Sequence, residues 1–250
     1  MKKFLFKKIL IIKHGSLGDV INSTSIIKAI KGKYFKANIS ILTSISYSSF
    51  FKEMSKDFEI YNDNRDGFYK TLKLLLFLTE KKYDLIIDLQ NSNRTFYYNL
   101  FFKIFSKTTN NSTHKFSDYR YQFSKTNPPS VINGLINQVK LLHIKPDDKP
   151  YLTFLNNNIK NNFIFLDKIF FIINPGCSNN NVHKKWSSEN FVEISKYLIK
   201  KNITPVIIGA EADRKSVEII NKSVPGSISL LNKSPLDVIY NLSTKALGAI

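Results

Sequence analysis

The sequence predicts an α/β protein made of two successive units, each built on a parallel sheet. Three observations carry this reading. Short apolar runs rich in β-branched residues alternate with amphipathic stretches, the pattern of buried strands covered by helices. Several runs end in turns that contain Gly, Asp or Asn. After a polar interval near residues 155–167 the alternation starts again. Strand–helix–strand units cross over right-handedly and so give parallel sheets. The expected division is residues 1–160 and 161–250.

The elements follow in order. Lys8–Lys13 (KILIIK) is the first strand and His14–Asp19 (HGSLGD) its loop. Val20–Lys31 is a helix with Val20, Ile26, Ile27 and Ile30 on its apolar side. Asn38–Leu42 is a second strand, Phe68–Lys82 a helix, Tyr83–Asp88 a third strand and Thr95–Phe105 an aromatic helix. Lys107–Pro129 is polar, ends in two prolines and reads as an exposed loop, and Val131–His143 as a helix. In the second half Lys168–Asn174, Thr204–Ile208 and Ser227–Leu231 read as strands. Ser188–Lys201, Asp213–Asn221 and Ser234–Leu242 read as helices, the last with Ser234 as N-cap and Pro235 at its first position. Lys245–Ile250 begins a further inner strand.

Composition narrows the function. Among 250 residues there are 37 Lys and Arg against 19 Asp and Glu, a net charge of +18. The arginines are only Arg65, Arg94, Arg120 and Arg214. Specific nucleic-acid readers rely on Arg for bidentate contacts, so such a partner is not expected. A lysine-rich surface suits an anionic membrane or an anionic substrate. Cys177 is the one cysteine, which excludes a disulfide scaffold and a Cys-based zinc cluster. It reads as a small buried apolar residue. No run reaches the roughly 18 apolar residues of a membrane span. Met1–Lys8 imitates the basic start of a signal peptide, but the apolar stretch is cut at Lys13. A cytoplasmic protein is expected.

Three turns could carry chemistry. Gly15-Ser16-Leu17-Gly18-Asp19 lies between a strand and a helix, where glycines permit close approach and the helix N-terminus favours anions. Asp19 is either a helix cap or a catalytic carboxylate. The G-x-x-G spacing is not a dinucleotide fingerprint, and no P-loop lysine is present. Asn174-Pro175-Gly176-Cys177-Ser178 leads toward Lys184, Lys185 and Trp186. That segment is either a diphosphate clamp or a solvated basic loop with Trp186 as a staple. Gly209-Ala210-Glu211-Ala212-Asp213 ends a strand, and Asp213 either contacts a nucleotide or caps the next helix. There is no D-x-D triplet for a metal–nucleotide complex, and His14, His114, His143 and His183 are scattered without metal-ligand spacing.

Together these segments resemble glycosyltransferase family 9, the ADP-heptose:lipopolysaccharide heptosyltransferases. Ile11–Lys31 (IIKHGSLGDVINSTSIIKAIK) is similar to the family's opening strand, S-L-G-D turn and helix. Asn174–Phe191 (NPGCSNNNVHKKWSSENF) is similar to its P-G-x-S…K-x-W-x-x-E-x-F segment, and Val206–Arg214 (VIIGAEADR) to its strand followed by G-x-x-x-D/E. The resemblance implies a GT-B architecture of two Rossmann-like domains, an acceptor-side one and a nucleotide-sugar one, with the active site in the cleft between them. It implies inverting heptose transfer from ADP-heptose to a lipid-linked saccharide acceptor of the lipopolysaccharide core. The ADP-sugar is a substrate, and neither cofactor nor metal takes part. Asp19 matches the general base, with Ser16 and Gly18 in the loop near the acceptor. Gly176, Ser178, Lys184 and Asp213 match the donor site. Ser187 stands where the family usually has Pro, which is expected to loosen the helix start. The family's D-S/T-G-P-x-H segment should follow the strand that begins at Lys245, so the second domain is expected to be partial, leaving donor binding open. The implied location is the cytoplasmic face of the inner membrane, bound peripherally. The alternatives are the same fold with another nucleotide sugar, or a basic protein that binds nucleotides or polyanions without catalysis.

Overall fold

A computed structural model of the chain describes residues 6–124, 126–156, 168–177 and 185–250. It divides into two units, Met1–Phe154 and Leu155–Ile250. The boundary expected at residues 160/161 lies outside the described residues.

The first unit holds strands β1 (Lys8–Ile12), β2 (Asn38–Thr43), β3 (Glu59–Asn62), β4 (Leu85–Asp88), β5 (Thr109–Ser112) and β6 (Tyr119–Arg120). They form one sheet in the order β3-β2-β1-β4-β5-β6, all neighbours parallel. This is the doubly wound order, in which the chain reverses direction across the sheet between β1 and β4. Helices α1 (Leu17–Lys33), α2 (Ser48–Met54), α3 (Phe68–Glu80), α4 (Asn93–Phe105) and α5 (Val131–Lys140) make the connections. Ile9 to Ile12 are fully buried because both faces of β1 are covered. Leu10 and Ile12 pack with Leu75 and Leu78 of α3 and Tyr98 and Phe102 of α4. Alternation sends Ile9 and Ile11 to the opposite face, and α1 packs against α5.

The second unit has strands β7 (Phe170–Ile173), β8 (Thr204–Gly209) and β9 (Ile228–Leu231) in a parallel sheet, with helices α6 (Ser188–Lys200), α7 (Arg214–Ser223) and α8 (Leu236–Ser243). The strand expected at Lys245–Ile250 does not form; that segment makes an isolated bridge instead. Leu247 N–H donates to Phe170 O at 2.9 Å and Ile250 N–H to Ile172 O at 3.0 Å, along the free edge of β7. The bridge between Ile172 and Ala249 is parallel. The named strands of the second unit lie in the order β7-β8-β9.

Several expectations need correction. The segment 107–129 is not one loop, because it contains β5 and β6. β5 (TNNS) has no apolar residue, yet Asn110, Asn111 and Ser112 are fully buried. Side-chain hydrogen bonds replace hydrophobic burial there, as Asn111 Nδ2 donates to Tyr119 O at 2.8 Å and to Gln138 O at 3.1 Å. β3 and α2 were absent from the sequence reading; EIYN is a half-buried strand beyond β2, too short for a clear period. The first helix starts at Leu17, so Gly18 and Asp19 lie inside its first turn. The helix expected at Asp213 begins one residue later, after a 3-10 turn at Glu211–Asp213. Pro235, not Ser234, caps α8, and the Ser234 hydroxyl instead bonds back to Leu230 O at 3.3 Å. Ser187 does not loosen α6. It is the N-cap, and its Oγ accepts the Asn190 N–H at 3.4 Å. Trp186 does act as a staple, its ring edge-on to Phe191 at 5.2 Å.

The α3/α4 side of the first sheet depends on ring packing at Phe102, which is 1% exposed. Phe102→Ala should lower the unfolding free energy of the first unit by about 3–5 kcal/mol, read from urea denaturation curves.

Candidate active site at the carboxyl ends of the strands

Open α/β sheets bind ligands beyond the carboxyl ends of their strands, at the point where strand order reverses. In the first unit that point collects an ionic network. Lys13 and His14 follow β1, Asp63 follows β3, and Asp88 ends β4; all four are buried.

Asp88 Oδ1 accepts the N–H groups of Gln90 and Asn91, each at 2.9 Å. Its Oδ2 accepts Asn99 Nδ2 at 2.8 Å and meets His114 Nε2 at 3.0 Å. Asp63 is equally saturated. Arg94 grips it with two bonds of 2.8 Å, from Nε and Nη2, while Tyr98 donates at 2.7 Å and Arg65 N–H at 3.1 Å. Burial pushes the Asp63 carboxyl up, but these donors outweigh it and hold it below the usual carboxylate range. The same pairing raises Arg94. With its lone pairs taken, Asp63 offers His14 only a 3.4 Å approach to Nε2, and that nitrogen has no hydrogen-bond partner among the described residues. Burial lowers His14 to about 4, against the pull of Asp63 and Asp88, so it is neutral at pH 7. Burial likewise lowers Lys13, with Asp19 and Asp88 opposing; its Nζ donates to Leu89 O at 3.1 Å.

Asp19 projects from the first turn of α1 and is half-buried, and the Ser16 hydroxyl donates to its Oδ2 at 3.2 Å. A carboxylate there is favoured by the helix dipole. Ser16 is the N-cap but makes no side-chain cap bond, so its hydroxyl serves Asp19. A Cβ at Gly18 would meet nothing within 4 Å, so that side of the turn is open.

The sequence reading missed this network. His14 and His114 are far from their partners in sequence, yet each comes to rest against its own buried aspartate. The available signal was the acidic residue closing an apolar run, at Asp88; Asp63 follows EIYN and carried none.

In the second unit a cavity of about 510 Å³ opens at the carboxyl ends of β7 and β8, lined in part by Asn174, Gly209, Ala210, Asp213, Asn232 and Ser234. Asp213 Oδ2 accepts the Ala210 N–H at 3.1 Å, so the residue caps the turn while facing the cavity. A Cβ at Gly176 would lie 2.6 Å from the Asp213 carboxylate, which is why glycine stands there. Glu211 is held by Arg214 at 2.6 and 2.8 Å and by Asn232 at 2.7 Å, and these bonds lower it to about 2. Cys177 is half-buried rather than buried. Ser178 and Lys184 lie outside the described residues. Among the described residues no three His, Cys, Asp or Glu side chains converge as metal ligands. No described helix is long and apolar enough to cross a membrane.

These features define an α/β protein of the GT-B type, with two parallel-sheet units that each present polar groups at the strand ends. No protein-family model matches the sequence, and no curated protein matches it. Solved structures do. A glycosyl transferase family 9 protein from Veillonella parvula shares the fold with a TM-score of 0.72 at 16% identity, over 96% of this chain and 74% of that one. The E. coli heptosyltransferase WaaC with ADP matches with a TM-score of 0.72 at 14% identity, over 97% of this chain and 80% of that one. A UDP-GlcNAc 2-epimerase from Methanocaldococcus jannaschii matches with a TM-score of 0.59 at 16% identity, over 97% of this chain and 77% of that one. At such identities the likeness is one of fold.

Two outcomes follow from the geometry. In the unfolded chain His14 gains a proton near pH 6.5, in the folded chain only near 4. Between these values the unfolded state binds more protons. The stability present above pH 6.5 therefore falls as pH drops toward 4, by up to about 3 kcal/mol. Urea midpoints from pH 7 to 4.5 should show the fall, and His14→Gln should flatten it. Separately, Gly176→Ala should force Asp213 away from the Ala210 N–H and lower the melting temperature of the second unit, at a cost of about 1 kcal/mol for the lost cap.

Proposed function

We propose that this chain is a glycosyltransferase that moves a heptose from ADP-heptose to a lipid-linked saccharide of the lipopolysaccharide core, with inversion at the anomeric carbon. The observation that carries the reading is Asp19. It stands in the S-L-G-D turn that the sequence shares with family 9, beside the strand-order reversal of a doubly wound sheet. A half-buried carboxylate with one hydroxyl partner among the described residues is suited to accept a proton.

The acceptor hydroxyl oxygen attacks the anomeric carbon from the face opposite the diphosphate. A carbon–oxygen bond forms as the bond to the β-phosphate oxygen breaks, the proton passes to Asp19, and the electron pair leaves on ADP. Asp19 and Asp88 act on Lys13 against its burial and favour its ammonium form. On the donor side the cavity of the second unit takes the nucleotide. Asp213 lines it, with Gly176 set against the Asp213 carboxylate, and the assigned roles of Lys184 and Ser178 are to offset the charge on the departing diphosphate. With no D-x-D motif in the sequence, that charge is assigned to lysine and backbone N–H groups.

Asp19→Asn keeps the shape and removes the base. Transfer from ADP-heptose to a core acceptor should fall by on the order of 10²–10⁴-fold, with donor affinity nearly unchanged. Near-normal turnover in the variant overturns the assignment. Transfer by the wild type should persist in excess EDTA, and loss with rescue by magnesium would contradict the lysine-based scheme. Calorimetry with ADP and UDP reads the donor: tighter UDP binding would move the reading to another nucleotide sugar.

A further inference from the structure

Helix α4 is apolar on two sides. Tyr98 and Phe102 are buried in the core. On the outer side Tyr97, Ile104 and Phe105 are 66%, 61% and 66% exposed. Residues 97, 101, 104 and 105 recur at helical spacing and share one side, and the rings of Phe101 and Phe105 lie 4.5 Å apart. Helix α3 repeats the arrangement. Leu75 and Leu78 face the core, while Tyr69 and Phe77 are 78% and 42% exposed. The two helices pack together on one side of the sheet, so their outer sides adjoin. Helix α7 of the second unit is the ordinary case, with Lys215 and Lys222 in solvent and Val217 and Ile220 inside.

An aromatic surface of this extent is normally covered by a partner. The accompanying charge indicates which partner. On α3 and α4 the basic residues are Lys70, Lys73, Arg94 and Lys103, and the one carboxylate is Glu80. Lys81, Lys82 and Lys107 follow just beyond the helices. Lys70 and Lys103 are paired with Asp66 and Asp118, whereas Lys73, Lys82 and Lys107 are exposed. Tyr, Phe and Ile flanked by lysine match the boundary between lipid headgroups and acyl chains: the rings bury shallowly while the ammonium groups meet phosphate.

We propose that the outer face of α3 and α4 docks on an anionic lipid bilayer. The face reaches the candidate site directly. Arg94, in the first turn of α4, donates to Thr71 in the first turn of α3 at 2.9 Å, and the same guanidinium holds Asp63. A bilayer on this face lies beside the strand end where Asp63 is held. Presentation of a lipid-linked acceptor there rests on the proposed function; the docking itself does not.

Flotation of the full chain with vesicles tests this. The chain should float with phosphatidylcholine vesicles that contain phosphatidylglycerol and stay behind with phosphatidylcholine alone. Tyr97→Ser/Ile104→Ser/Phe105→Ser should weaken partitioning by at least about tenfold. Lys73→Glu/Lys107→Glu should weaken it by at least about fivefold per lysine. Both variants should keep the melting temperature of the wild type, because all five side chains are solvent-exposed. Equal flotation of either folded variant and the wild type overturns the proposal, as does wild-type chain that floats with neither vesicle. A dimer in sedimentation that the triple variant breaks would assign the face to a second copy and also overturn it. Flotation without ADP binding would leave the docking in place and count against the transferase reading alone.

Discussion

The buried Asp88 carboxylate is the constraint from which the first unit's site is built. It accepts two backbone N–H groups just after β4, the Asn99 amide from α4 and the ring of His114 from the connection after β5. The order it imposes on Gln90 passes to β1. Gln90 Oε1 accepts the N–H groups of His14 and Gly15 at 3.1 and 3.4 Å. The turn that carries Ser16 and Asp19 is thus fixed by a carboxylate on the neighbouring strand. A buried charge with four donors is stable where one with fewer would not be.

Charge at this end is sorted by burial. Asp63 and Asp88 are fully engaged and serve as structure. Asp19 differs in having, among the described residues, a single hydroxyl partner, Ser16. His14, though beside an aspartate, is kept neutral by its burial. The second unit divides its acids similarly: Glu211 is locked to Arg214 and Asn232, while Asp213 caps a turn and still faces the cavity.

What could be read from the residues was whatever follows from periodicity and local turns. β1, β4, β7 and β8 are apolar runs buried on both faces, and their positions in sequence were plain. The S-L-G-D turn and the Asp213 turn are contiguous segments, so they were legible too. β5 was not, because TNNS is buried through amide hydrogen bonds that pattern reading takes for a loop signal. The His14–Asp63 and His114–Asp88 pairs were invisible for another reason: their members are separated by many residues, and only the strand order brings them together. The capping role of Ser187 was lost behind a comparison with proline, although serine is itself a strong N-cap.

Gln138 on α5 sets a condition on when this architecture can form. Its amide Nε2 donates to Asp88 O at 2.9 Å and to Asn111 O at 3.2 Å, and its Oε1 accepts from Asn91 Nδ2 at 2.8 Å. The strand ends thus receive their last supports from a helix far along the chain. Contacts so distant in sequence are formed late, because the loop between them must close first. During synthesis β1 through β4 can pair as soon as they emerge from the ribosome. The polar end of the sheet stays unfinished until α5 follows, so the nascent first unit gains its scaffold before its site.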